Sequence, residues 1–360
     1  MTRRGFSRAL ASLAVGVAAG YVCALLHTPI PWMLGPLFSL AFLRVAGVDV
    51  GVPTPVRYGG QWIIGTSLGL YFTPQVVREV AGLWYLLVAG AVFSVAVGYV
   101  SAIALARMAR LDRTTALFAS VPGGAAEMAV LGERFGARVD RVAAAQSLRI
   151  LIVVAVIPAI YTLLGVHGAD PYVQGASAFA PTGFLLLMAA TATGGFVFHR
   201  FHVPNAFVLG SLAVAIPLTA AQIDLSAMPQ FASNTGQCLL GCALGSRFQR
   251  DFLEGAHRFV GAVLASVLLA MALCALFGAG LAYASQLHPA TLVLGTAPGG
   301  IAEMCITAKV LQLGVPLVTA FHVARVVVIL LTTVPVFARL QRWWGSGGGD
   351  ESAVRNTLGE

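Results

Sequence analysis

One seven-residue pattern, P-G-G-x-A-E-M, occurs twice in this chain, at Pro122 to Met128 and at Pro298 to Met304. The two copies differ only at the x position. The glutamate of each copy is followed 22 residues later by an arginine, Arg149 or Arg325. Proline interrupts a helix because it lacks an amide proton, and glycine frees the backbone. The chain is therefore predicted to contain two broken helices that arose by internal duplication.

The pattern lies in a chain that is too apolar for a soluble domain. Hydrophobic residues make up 58% of the sequence and charged residues only 10%, whereas a soluble domain carries about 25% charged residues. Runs such as Leu83 to Met108 and Phe259 to Ser285 are long enough to cross a bilayer core, which needs about 20 apolar residues. The expected fold class is an all-α polytopic membrane protein, with the lipid bilayer as its first partner.

The formal net charge of +8 does not indicate a nucleic-acid partner. Of the 22 basic residues all but one are arginine, and most of them lie in short loops, as the positive-inside rule expects. No basic helix or aromatic platform typical of nucleic-acid binders is present. The five cysteines lie in apolar segments and suggest neither a disulfide framework nor a metal site. We therefore predict no nucleic acid, metal or other cofactor, and no enzymatic activity.

Further matches between the two halves support the duplication, at nearly the same offset as the P-G-G copies. His27 recurs as His202, each two residues before a proline, and Gln61 recurs as Gln237, each within a glycine-rich stretch. The predicted organisation is a first membrane repeat at 1–165, a linker at 166–180, a second membrane repeat at 181–344 and a disordered cytoplasmic tail at 345–360.

Each half contains six apolar elements, and the fifth carries the P-G-G pattern. They are predicted at 9–26, 31–46, 58–72, 83–107, 114–132 and 142–163, and at 181–198, 204–222, 234–246, 258–285, 290–311 and 316–338.

Loop charges favour a re-entrant fifth element. Each half then crosses the membrane five times, so the second half is inverted, and the inner loops and termini hold 18 of the 22 basic residues. A fully spanning fifth element would move Arg134, Arg138 and Arg141 to the outside, which weakens this bias. We therefore predict two inverted repeats of about five spanning helices plus one re-entrant or broken helix each, with both termini cytoplasmic.

The two breaks are the candidate substrate-binding site. A helix that begins just after each break would present free amide groups and a positive dipole end at membrane depth, which suits an anion. Glu127 and Glu303 fall in the first turns of these helices. Gln146 and His322 lie three residues before each arginine, on the same helical face. The full candidate set is Pro122, Gly123, Gly124, Glu127, Gln146, Arg149, Pro298, Gly299, Gly300, Glu303, His322 and Arg325.

Two interpretations of the buried charges stay open. Glu127 with Arg149, and Glu303 with Arg325, could form ion pairs that only hold each broken element to its neighbour. Alternatively, the same groups could line a solute or proton site between the repeats, because charges inside a membrane are costly and commonly functional. For Gln61 and its match Gln237, close helix packing is the first expectation and solute contact the second.

The duplicated pattern with its following arginine resembles the AbrB-type membrane proteins of bacteria, over about residues 9–340. This family shares its name with an unrelated soluble transition-state regulator. The resemblance implies a multi-pass protein of the bacterial inner membrane named for an effect on gene expression, and it supplies no established catalytic residues. Some relatives carry an ammonia monooxygenase label, which this sequence does not support because it shows no convergent metal-ligand set.

Three functions follow as hypotheses. The first is a secondary transporter of a small, anionic solute, coupled to protons or another ion. The second is a membrane protein that regulates gene expression indirectly, without binding DNA itself. The third and weakest is a membrane monooxygenase. The sequence leaves the oligomeric state open, a homo-oligomer included.

Overall fold

A computed structural model describes residues 3–168, 172, 178–248 and 257–345, and all regular structure within them is helical. The helices of the first half are α1 (Arg3–Leu25), α2 (Pro31–Val45), α3 (Thr54–Gly69), α4 (Pro74–Gly82), α5 (Trp84–Ala109), α6 (Arg113–Ser120), α7 (Ala125–Arg134) and α8 (Val139–Leu163). Those of the second half are α9 (Pro181–Arg200), α10 (Ala206–Ala220), α11 (Gln230–Gly245), α12 (His257–Ser285), α13 (Pro289–Thr296), α14 (Ile301–Val310) and α15 (Val315–Gly345).

The helix bounds recur along the chain. α2 and α10 have the same length, and α3, α6 and α7 match α11, α13 and α14 in length, each at the offset of the sequence repeat. The backbone between helices recurs as well. Ile30 and its match Asn205 both have a φ of 50°, a left-handed conformation that is uncommon for any residue but glycine. Similar conformations at matched, chemically different residues show that the two halves follow similar backbone paths here.

Within the described residues, six helices are long and apolar enough to cross a membrane, namely α1 from Gly5 on, α5, α8, α9, α12 and residues 315–332 of α15. The other four elements predicted to span are α2, α3, α10 and α11, and each has only 15 or 16 residues. At 1.5 Å per residue they reach roughly 22 to 24 Å, less than a hydrocarbon core of about 30 Å. The protein is thus a multi-pass membrane protein, and ten full spans stay a prediction.

The two halves interlock through these short helices. α2 packs on α11, and α3 packs on α10 and α11. Small residues permit the close approach, because a Cβ at Gly65 would lie 2.7 Å from the Val208 carbonyl oxygen and one at Gly241 would lie 2.5 Å from that of Met33. Glycine at such helix crossings is common in membrane proteins. The largest buried apolar cluster accordingly draws on both halves.

The structure adds one element that the apolar runs did not predict. α4 is a nine-residue helix whose first turn is capped by the Thr73 hydroxyl, which accepts from the Val76 amide. Its exposed face carries Gln75 and Glu79, joined by a 2.8 Å hydrogen bond. A short helix with a polar face does not register as an apolar run. The predicted tail from residue 346, and most of the predicted linker, lie outside the described residues.

Candidate functional site

Each P-G-G pattern coincides with a break between two short helices. α6 ends at Ser120 and α7 begins at Ala125, and α13 ends at Thr296 and α14 begins at Ile301. The residue before each second half-helix is extended, with φ and ψ of −65° and 133° at Gly124 and of −79° and 158° at Gly300. The predicted elements 114–132 and 290–311 are therefore pairs of half-helices.

The two repeat-related arginines bind the backbone of the breaks. Arg149, on α8, donates from Nη1 to the Val121 carbonyl at 3.0 Å and from Nη2 to the Gly123 carbonyl at 3.3 Å. Arg325, on α15, donates in the same way to the carbonyls of Ala297, at 2.6 Å, and of Gly299. Carbonyls beyond a helix C-terminus have no intrahelical partner and carry its negative dipole end. The guanidinium groups donate hydrogen bonds to these carbonyls and bring a positive charge to the negative end of each helix dipole.

Neither of the two ion pairs that one interpretation requires is formed. No salt bridge within 4 Å joins Glu127 to Arg149 or Glu303 to Arg325, all four of which belong to the described part of the chain. Each carboxylate instead folds back over the glycine that precedes its helix, since a Cβ at Gly124 or Gly300 would collide with the carboxylate oxygen three residues later. A glutamate at this third helical position suits the positive end of the helix.

Gln146 and His322 lie against the backbone of the half-helices that precede the breaks, α6 and α13. The Gln146 amide donates to the carbonyls of Phe118, at 2.8 Å, and Val121, at 3.0 Å. His322 occupies the matching place against the Leu294 carbonyl, but neither ring nitrogen makes a hydrogen bond of good geometry. Both side chains are fully buried, and neither lines the cavity onto which the breaks open. Their place at a solute site stays a prediction.

Both breaks open onto one cavity, which has a volume of about 70 Å³. Nine of the twelve candidate residues lie in its wall: Pro122, Gly123, Gly124, Glu127, Arg149, Gly299, Gly300, Glu303 and Arg325. Pro298 lies in the wall of a second, mostly apolar cavity of about 20 Å³, whose wall also includes Pro122 and Arg149. Matched residues of the two sequence copies thus face one shared space.

Sequence analysis missed two arginines in the wall of the first cavity. Arg57 lies near the start of α3 and Arg247 lies just beyond the end of α11. Positions at the repeat offset hold Ser233 and Tyr71, so neither arginine belongs to the duplicated pattern. Many arginines of this chain lie in loops, so the sequence gave no reason to select these two.

The two added arginines are neighbours without a carboxylate partner. No Asp or Glu of the described residues lies within salt-bridge distance of Arg57 or Arg247. Burial lowers the pKa of Arg247 from its ordinary value, the charge of Arg57 lowers it further, and the more distant Glu303 and Glu127 raise it. The part of the cavity wall that holds Arg57 and Arg247 is therefore electropositive.

Polar side chains complete the wall between the arginines and the breaks. The Gln61 amide donates to the Asn205 side-chain oxygen at 3.2 Å, which joins α3 to α10. Its own oxygen, Oε1, is buried without a hydrogen-bond partner. Gln61 therefore contributes to the cavity as well as to packing. No group of three or more His, Cys, Asp or Glu side chains among the described residues could hold a metal ion.

Comparisons with known proteins place this architecture in a family. A Bacillus subtilis (strain 168) protein named "Uncharacterized protein YhjN" is 26% identical over 375 residues, which cover 95% of each chain. An Escherichia coli (strain K12) protein named "Putative regulator AbrB" is 24% identical over 315 residues, which cover 87% of this chain and 90% of that one. No solved structure matches.

The family match extends over nearly the whole chain. The family described as "Transition state regulatory protein AbrB" matches residues 9–342, which include both breaks, both arginines and the cavity between them. That description and the name of the E. coli relative refer to regulation rather than to catalysis. This chain belongs to the AbrB family.

Proposed function

We propose that this protein is a secondary transporter of a small anionic solute, which binds in the cavity between the two helix breaks. The observation that carries the proposal is that both P-G-G breaks line one cavity. Transporters built from inverted repeats commonly bind solutes between two discontinuous helices near the bilayer midplane.

The helix ends at the breaks supply the chemistry of solute binding. α7 and α14 begin at the cavity, and the first amide groups of a helix lack intrahelical partners. These amides and the positive dipole ends favour an anion without a dedicated basic side chain. Glu127 and Glu303 sit beside the same amides and are the carboxylates available for proton coupling.

The membrane orientation follows from the loop charges. In the proposed arrangement the halves are inverted repeats in a bacterial inner membrane, with both termini in the cytoplasm. Arg57 and Arg247 then lie at the cytoplasmic ends of α3 and α11. At the opposite ends of these helices, the Lys309 ammonium donates to the hydroxyls of Ser67 and Ser233 at 3.2 and 3.1 Å. We propose that the cavity opens toward the cytoplasm and that Lys309 closes its outer side.

Uptake of labelled solutes into proteoliposomes tests this function. The panel covers carboxylates, phosphates, amino acids and neutral metabolites, each with and without a proton gradient. We expect Glu127→Gln and Glu303→Gln to slow uptake at least about tenfold, as for groups that act at the site itself. Glu133→Gln is the matched control because Glu133 is exposed at the far end of α7.

Two results would end the transport proposal. One is that no solute of the panel moves although the purified protein unfolds cooperatively. The other is that uptake by Glu127→Gln and Glu303→Gln equals that of the Glu133→Gln control.

Indirect control of gene expression is the second candidate, and the printed description of the family and the name of the E. coli relative favour it. In this alternative the membrane protein changes transcription without contacting DNA. Transcript profiling of a deletion strain that carries Glu303→Gln separates the two. If transport is abolished and the transcripts stay normal, regulation is the primary function; if both are lost, the transcripts follow the solute.

A further inference from the structure

The charges on the wall of the shared cavity are not balanced. Four arginines and two glutamates line it, so its formal charge is +2. The arginines are Arg57, Arg149, Arg247 and Arg325, and the glutamates are Glu127 and Glu303.

The repeated charges have partners in the backbone of the breaks. Arg149 and Arg325 bond to carbonyls that follow the C-terminal ends of α6 and α13. Glu127 and Glu303 lie at the N-terminal ends of α7 and α14. Each charge thus faces a helix dipole of opposite sign. Among the described residues no carboxylate lies within salt-bridge distance of Arg57 or Arg247, so these two arginines account for the excess positive charge of the wall.

Several residues of the same cavity wall carry unpartnered polar atoms. Gln61 is 7% exposed, Arg149 is 6% exposed and Arg325 is 3% exposed. The Gln61 Oε1 atom and the Nε atoms of Arg57, Arg149 and Arg325 are buried and have no hydrogen-bond partner. Since buried polar groups are nearly always paired in native proteins, these atoms mark a polar ligand site rather than simple helix packing.

We infer that the solute is a small dianion and that Arg57 and Arg247 bind its second negatively charged group. This inference rests on the proposed function and names the class of its substrate. One negative charge of the solute lies at the N-terminal amide groups of α7 and α14, and the other lies between Arg57 and Arg247. Two carboxylates or one phosphate monoester supply this chemistry equally, because arginine pairs with either oxyanion through two parallel hydrogen bonds.

Ligand-induced thermal stabilisation of the purified full chain tests the charge requirement without transport. Succinate and glycerol phosphate are the dianionic probes, acetate and glycerol are their matched controls, and ionic strength is held constant. We expect at least one of the two dianions to raise the melting temperature of the protein. Acetate and glycerol should have no comparable effect. The probe that stabilises more identifies dicarboxylates or phosphate monoesters as the source.

Variants assign the effect to the two arginines. Arg57→Gln and Arg247→Gln should each weaken dianion binding at least about tenfold, the loss expected when one partner of a buried charge pair is removed. Arg78→Gln on α4 is the matched control because Arg78 is exposed and lies outside the cavity wall. Without ligand, Arg57→Gln should melt no lower than wild type, since it removes an unbalanced charge.

Two outcomes overturn the inference. In one, acetate stabilises wild type as much as succinate does, or no dianion binds at millimolar concentration. In the other, the two arginine variants bind dianions as Arg78→Gln does. Dianion binding without any uptake would instead contradict the transport function and leave the ligand assignment standing.

Discussion

The two helix breaks have nearly the same sequence and backbone path, but the protein surrounds them differently. All eight residues from Ile301 to Ala308 of α14 are buried. In α7 the matching stretch includes Val130, which is 54% exposed, and the helix ends in the exposed residues Glu133 and Arg134. The last turn of α14 instead carries Lys309, whose ammonium group bonds to α3 and α11.

This difference shows that the duplicated pattern specifies a break but not its freedom to move. Residues 301–308 of α14 are buried against helices of both halves of the molecule, whereas α7 has an exposed face. Regions with few buried contacts open at lower free-energy cost than the core does. Any motion at the site should therefore be larger at the first break than at the second.

The largest expected contrast lies in the arginines that bind the breaks. Arg325→Met should lower the free energy of unfolding by roughly 3 kcal/mol, because it removes two charged hydrogen bonds and leaves buried carbonyls unpaired. Arg149→Met should cost less, about 2 kcal/mol, because Gln146 still donates to the Val121 carbonyl. Unfolding titrations in mixed micelles measure both, and equal losses would contradict the claim that the second break is more tightly held.

The glycines before the second half-helices give a smaller contrast. Alanine at Gly300 or Gly124 would collide with the carboxylate of Glu303 or Glu127. Glu303 is 8% exposed and has little room to turn aside, whereas Glu127 is only half-buried. We expect Gly300→Ala to cost about 2 kcal/mol and Gly124→Ala about 1 kcal/mol, within the usual range for overpacking. The same titrations apply, and a larger loss at Gly124 would reverse the assignment.

The smallest contrast comes from exchanging the residues behind the breaks. His322→Gln could donate to the Leu294 carbonyl as Gln146 does to Phe118, so we expect a gain of up to about 1 kcal/mol. Gln146→His should lose about 1 to 2 kcal/mol, because two hydrogen bonds to the first break are removed. If both variants are destabilised alike, the two positions are not equivalent supports.

The sequence located both breaks because proline and paired glycines act locally on the backbone, at 122–124 and again at 298–300. It also indicated the all-helical membrane class, because apolar runs of sufficient length leave few alternatives. The backbone partners of Arg149 and Arg325 were not foreseen, since a sequence shows charges but not the unpaired carbonyls that compete for them. Arg57 and Arg247 were missed because they break the repeat.

The bonds from Arg149 and Arg325 to the breaks also bear on which ion could drive the protein. Sodium-coupled carriers commonly hold the metal ion with backbone carbonyls of unwound helices. Here the carbonyls of Val121, Gly123, Ala297 and Gly299 already accept from guanidinium groups. A sodium ion at either break would have to displace a tethered cation of the same charge, whereas a proton could bind the neighbouring glutamate without disturbing those bonds.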